Sequence, residues 1–116
     1  MNITRGDTKT FIFQRKDINN QVIAQKPDEM YITIKRNTEL QSFIIQKRLN
    51  DGSITYDEET NYYSFTILPI DTNNLEYGDY KYDIEIIEAG KVRTIKKGIF
   101  TIEEEVTFAS NEVGYE

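Results

Sequence analysis

Leu75-Glu-Tyr-Gly-Asp-Tyr-Lys-Tyr-Asp-Ile-Glu-Ile-Ile87 is the stretch from which the rest of the chain can be read. Gly78 frees the backbone near its start, and beyond it Tyr80, Tyr82, Ile84 and Ile86 fall on one side of an extended chain. Lys81, Asp83 and Glu85 occupy the other side until Ile87 interrupts them. A strand needs this alternation of period two when one of its faces is buried and the other meets water.

Working upstream, Pro69-Ile-Asp-Thr-Asn-Asn-Leu75 reads as a helical turn, with Asp71 placed to cap it and Leu75 to plug the bottom of the core. Residues 62–68 form a strand with Tyr63, Phe65 and Ile67 inward, preceded by the turn Asp57-Glu-Glu-Thr-Asn61 and a brief strand at 54–56. Asn50-Asp-Gly-Ser53 is the strongest hairpin indication, because Asp-Gly suits a turn with positive φ. The strand before it, 42–49, puts Phe43, Ile45 and Leu49 on one face with Lys47, which marks a sheet edge. Residues 29–36 alternate Met30, Ile32 and Ile34 inward with Tyr31, Thr33 and Lys35 outward. An opening hairpin joins 9–15, with Phe11 and Phe13 inward, to 21–24 through Asp17-Ile-Asn-Asn20, whose Asn and Asp favour turns. Downstream, Glu88-Ala-Gly90 turns the chain into a last strand, 91–102. Val92 and Ile95 cannot both face the core in one register, so a bulge is expected near Lys96-Lys-Gly98, after which Phe100 and Ile102 point in.

Short strands with turns at this spacing predict an all-β fold. The expectation is an immunoglobulin-like antiparallel β-sandwich of about seven to nine strands, with one short helical turn near 70–75. A turn followed by Tyr-x-Tyr is how the penultimate strand of such sandwiches begins, its tyrosine bonding back to the corner it has left. Residues 1–103 are expected to form the sandwich, and 104–116 a tail expected to pack on the domain or on a neighbouring subunit through Val106, Phe108, Val113 and Tyr115. The chain begins at its own Met1 and is expected to be a whole small protein.

The 116 residues suffice for one domain with a core that needs no covalent staples. There is no cysteine, which removes disulfides and thiolate metal sites and fits a reducing compartment. No apolar run has the length of a signal peptide core or of a membrane span. A net charge of −6 and a pI near 4.7 disfavour binding to nucleic acid or to an anionic membrane surface. The charge serves solubility.

With neither histidine nor cysteine, nucleophile systems built on those residues are excluded, and zinc would have to accept carboxylates alone. No pair of the 20 acids stands out as a general acid–base couple. Asp51, Asp57, Glu58 and Glu59 cluster around one hairpin and could hold calcium, but they lack the spacing of a calcium loop. No glycine-rich phosphate loop exists, because the glycines are scattered singly. Arg5-Gly6-Asp7 precedes a strand, so Gly6 is read as a swivel and Asp7 as a turn cap. No catalytic, metal or cofactor residue is expected, and the chain is read as a non-enzyme. Ile12, Ile44 and Ile87 point outward, and an apolar side chain left in water suggests a protein contact.

A set of segments resembles a family of small structural proteins encoded by phages and prophages of low-GC Gram-positive bacteria. These are Ile3-Thr-Arg-Gly-Asp7, Phe11-Ile-Phe-Gln-Arg-Lys16, Met30-Tyr-Ile-Thr-Ile-Lys35, Ile54-Thr-Tyr-Asp57, Tyr62-Tyr63, Asp71-Thr-Asn-Asn-Leu75, Tyr77-Gly-Asp-Tyr80, Tyr82-Asp-Ile-Glu85, Gly98-Ile-Phe-Thr-Ile-Glu103 and Val106-Thr107. The plan is more loosely similar to the immunoglobulin-like N-terminal domain of phage baseplate upper proteins, which continue into a helical stalk beyond the point matched by Glu116. The resemblance implies a non-enzymatic structural or adaptor protein of the virion, in the tail or baseplate region and assembled in the bacterial cytoplasm. Its partners would be copies of itself or other virion proteins in a symmetric assembly, with no cofactor. The alternative is a carbohydrate-binding, adhesive sandwich that reads the host surface through Tyr31, Tyr62 and Tyr77.

Overall fold

In the computed structural model, which describes residues 1–36 and 44–105, the apolar alternation resolves into eight strands and one helical turn. The strands are β1 (Asn2–Thr4), β2 (Lys9–Gln14), β3 (Glu29–Lys35), β4 (Ile45–Arg48), β5 (Ile54–Asp57), β6 (Tyr62–Ile67), β7 (Gly78–Glu88) and β8 (Lys91–Glu103), and the helical turn is α1 (Pro69–Thr72). Five strands form one sheet in the order β1-β8-β7-β3-β4, and three form a second in the order β2-β6-β5. All pairings are antiparallel except that of β1 with the end of β8.

The core lies between the two sheets, where the inward positions of each strand meet. Met30, Ile32 and Ile34 of β3, Tyr80, Tyr82, Ile84 and Ile86 of β7, and Phe100 and Ile102 of β8 are all buried. The smaller sheet answers with an aromatic layer. Phe11 stacks on Phe65 and Phe13 on Tyr63, with ring centroids 5.2 and 5.4 Å apart, and Phe11 reaches Phe100 across the sheets at 6.3 Å. Offset aromatic pairs of this kind add to the stabilisation from buried area.

The corner before β7 forms as its sequence predicts. The Tyr80 hydroxyl donates to the Glu76 carbonyl at 2.8 Å, four residues upstream. Pro69 opens α1, whose first position has no use for a backbone N–H. Asp71 is not the N-cap residue: it sits one turn in and reaches back, accepting from the Leu68 N–H at 2.8 Å and from the Lys47 ammonium at 3.0 Å. Leu75 packs against the core as expected.

Several expectations are corrected. The segment 21–24 is not a strand; it makes a single bridge between Lys16 and Val22 before the chain crosses to the other sheet. Past this bridge the Gln25 carbonyl accepts from the Arg15 guanidinium, which turns inward and also meets Glu88. The Asn50-Asp-Gly-Ser53 turn is tight, with Gly52 at φ +85°, but it joins no hairpin. β4 pairs with β3 and β5 with β6, so the turn carries the chain from one sheet to the other. The buried Glu29 carboxylate holds the turn against the larger sheet by accepting from the Asn50 N–H at 2.9 Å. The bulge lies one position before the expected site. Ile84 pairs with Lys96 and Glu85 with Thr94, leaving Ile95 as the extra residue, and neither Val92 nor Ile95 is buried. β1 was missing from the strand pattern because three residues are too few to show a period. β4 is an edge strand, as Lys47 suggested, while Phe43 lies outside the described residues.

Candidate interaction surface

β7 and β8 form the longest ladder in the molecule, joined by a two-residue turn in which Ala89 and Gly90 both have positive φ. Such turns match the right-handed twist of the strands they connect. Gly98 is required where it stands: a Cβ there would come within 2.7 Å of the Tyr82 ring, which lies over it.

Past Gly98 toward the turn, the sequence of β8 changes character. Four of the seven residues 91–97 are cations (Lys91, Arg93, Lys96 and Lys97), and all seven are exposed. β1 pairs only with residues 101–103, and the Met1 ammonium reaches no further than the Ile99 carbonyl at 3.2 Å. Among the described residues nothing pairs with the outer edge of 91–98. On the inward side Lys91, Arg93 and Lys96 extend beyond the cover of the smaller sheet. A groove of 530 Å³ opens there, lined by Phe13, Arg15, Ile18, Ile84, Arg93 and Lys96. On the outward side Lys97 joins Lys35, Lys81, Asp83, Thr33 and Ile99 around a second concavity of 520 Å³. The acidic chain thus carries a cationic margin around one strand edge.

The floor of this region is organised by Arg15, which is buried. Its guanidinium spans both carboxylate oxygens of Glu88 at 3.3 Å, and Arg93 meets Glu88 at 3.3 Å from the solvent side. The Arg15 hydrogen bond holds the Glu88 carboxyl below its usual value. Burial pushes the Tyr63 phenol up, partly offset by the neighbouring Arg15 guanidinium, and among the described residues no group stands in good hydrogen-bond geometry to its hydroxyl. Lys91, Lys96 and Lys97 form no ion pair among the described residues.

Among the described residues, those singled out from sequence do not converge. Ile12, 64 % exposed, lies on the outer face of the smaller sheet among the Thr10–Thr66 and Thr55–Ser64 hydroxyl pairs. Ile87 lies on the opposite face of the molecule, half-buried beside Val92. Ile44 is half-buried and packs against the core. Val106, Phe108, Val113 and Tyr115 lie outside the described residues. Tyr31 and Tyr62 sit on opposite outer faces and Tyr77 at the corner under Arg5, so the three share no platform. Arg5 is engaged by Glu105 at 2.9 Å and by the Leu75 carbonyl, and Gly6 is a turn residue at φ +85°, so the tripeptide is built into the fold. Asp51 and Asp57 bond the backbone of their own turns, at Ser53 and Glu59. Among the described residues no cluster of acids has the arrangement of a metal site, and no helix is long and apolar enough to cross a membrane.

The cationic edge was not singled out from sequence. A run of cations inside an acidic chain could have disclosed it, but only the strand order shows that the run lies on an unpaired edge. No protein-family model matches the chain, and no match is found among curated proteins.

Proposed function

We propose that this chain is an immunoglobulin-like domain serving as a non-enzymatic structural or adaptor protein of a phage virion, in the tail or baseplate region, through protein–protein contacts. The strand order supports the immunoglobulin-like reading. A five-stranded sheet with its last two strands central faces a sheet of three, and a tyrosine at the start of the penultimate strand bonds back to the corner. The observation that carries the functional reading is the exposed edge of β8 over residues 91–97, which has no partner strand on its outer side among the described residues and includes the exposed Val92 and Ile95. Such an edge is a template for another chain, and repeated particle architecture uses one contact many times. The virion assignment itself rests on the sequence resemblance. Host-glycan recognition has no comparable observation behind it, since the aromatic candidates are dispersed.

Particles purified from a host strain encoding this chain provide the test, by peptide mass spectrometry and antibody-gold microscopy. The protein is expected in washed particles, with label at the tail end. Its presence in the lysate alone, with none in the particles, overturns the proposal.

A further inference from the structure

The backbone of β8 is laid out to receive a strand along residues 91–97. In an antiparallel ladder successive residues turn their N–H and C=O groups alternately toward one neighbouring strand and the other. The Ile87 carbonyl accepts from the Asp28 N–H at 2.9 Å, on the β3 side. Ile87 therefore shares no ladder hydrogen bond with its partner Val92, and Val92 turns its backbone groups to the outer edge. Thr94, opposite Glu85, does the same two residues on. The extra residue at Ile95 then shifts the outward phase to odd positions. The far end of the edge follows that phase. The Ile99 carbonyl accepts from the Met1 ammonium at 3.2 Å, and the Thr101 N–H donates to the Met1 carbonyl at 3.0 Å. Val92, Thr94 and Lys97 thus offer the same row of groups that the start of the chain uses further along, and among the described residues nothing takes them.

The side chains decide which strand fits. Residues 91–97 carry four cations and no acid in a chain of net charge −6. Lysines and a bulge keep like edges from joining, because cation would face cation, so a second β8 edge is a poor occupant. On the outward side Glu85 and Asp83 of β7 stand beside Thr94 and Lys97. On the inward side Lys91, Arg93 and Lys96 stand above the Arg15–Glu88 pair, and Lys16 and Asp17 at the rim of the groove offset each other. The positive surplus is therefore inward. A strand alternating acidic with neutral or apolar side chains matches this division, its acids meeting the inward cations and its other face lying beside exposed Val92. A polyphosphate chain would neutralise the cations but leave the backbone row and Val92 in water.

Resting on the reading of this edge as a contact surface, we infer that residues 91–97 bind an extended acidic segment of another protein. The segment adds to the larger sheet as a strand beside β8, with its acidic side chains on the inward side.

Fluorescence anisotropy of the full chain with a labelled synthetic peptide of about ten residues, alternating glutamate with threonine, tests the inference. Binding is expected, and high salt is expected to weaken it about tenfold or more. A peptide of the same composition with its glutamates in one block is expected to bind about fivefold more weakly or worse, because it cannot place its acids on one side of a strand. Lys91→Glu/Lys96→Glu/Lys97→Glu is expected to lose the glutamate peptide and to accept a lysine–threonine counterpart. Thr94→Pro keeps every cation but removes one outward N–H, a change that an edge strand tolerates, and is expected to weaken binding about tenfold. Amide shifts on titration should centre on Val92, Thr94 and Lys97. No binding by the wild type, equal binding of the blocked peptide, or indifference to Thr94→Pro overturns the inference. So does inorganic polyphosphate that competes better than the alternating peptide at equal charge, which would make the edge a polyanion patch. Self-association of the wild type that is lost on charge reversal also overturns it, by giving the edge to a second copy. A protein present in particles that ignores the peptide loses this inference alone, and one that binds the peptide but is absent from particles loses the virion role alone.

Discussion

Residues 99–103 and residues 91–97 belong to the same strand and continue the same ladder with β7, yet they occupy opposite environments. The first segment is flanked by β1, faces the smaller sheet, and buries Phe100 and Ile102 completely. Among the described residues the second has a partner on one side only, and it is exposed throughout. The change occurs over Ile95 to Gly98, where the bulge shifts the register at Ile95 and the Tyr82 ring takes the space of a side chain at Gly98. Backbone pairing alone therefore does not make a strand part of the core. Cover from the second sheet and closure of the edge decide it, and in this molecule both stop at the same level.

The sharpest way to break this comparison is a matched pair of truncations on β8. Phe100→Ala removes a fully buried ring and is expected to cost about 4 kcal/mol in urea unfolding. Val92→Ala, on the exposed segment, is expected to stay within about 0.5 kcal/mol. Equal effects would mean that the exposed segment is packed in solution.

A smaller effect is expected from the ion pair beneath the open segment. Arg15→Met leaves Glu88 without its buried partner and is expected to cost about 2 kcal/mol, less than a fully buried pair because Glu88 remains partly solvated. Glu88 has a lowered pKa when folded, so its contribution is present above the ordinary glutamate value of 4.5 and is lost as pH falls through the lowered value. The difference between wild type and variant should be full at neutral pH and shrink on acidification. A difference that grows with acid would contradict the pairing.

The smallest effect belongs to the corner at the closed end. Tyr80→Phe keeps the ring and deletes the hydroxyl that reaches Glu76, with an expected loss of about 1 kcal/mol by the same unfolding measurement. No loss would show that the hydroxyl exchanges this carbonyl for water without cost.

Much of the architecture was legible along the chain because burial on one face imposes a period of two. The inward sets on β3, β6 and β7 could be read residue by residue. So could the corner tyrosine and the turn at Ala89 and Gly90, which depend on local geometry. The candidate surface was less legible. Ile12 and Ile87 are exposed or half-buried as their phase requires, but a strand's period cannot tell which sheet it joins or whether two outward residues share a face. The Asp-Gly turn failed as a hairpin marker for the same reason: its backbone conformation is local, whereas the partner of β5 is set by packing with β6.

By itself the amino-acid order determined which residues face inward, where the chain turns, and that no cysteine or histidine chemistry is available, because these depend on neighbours one to four positions away or on composition alone. Only the tertiary structure decided that β1 stops beside residue 101, that Arg15 turns in toward Glu88, and that a cationic run becomes an open edge. Those outcomes depend on pairing between residues far apart in the chain, where loop closure and competition for partners, not local preference, select the result.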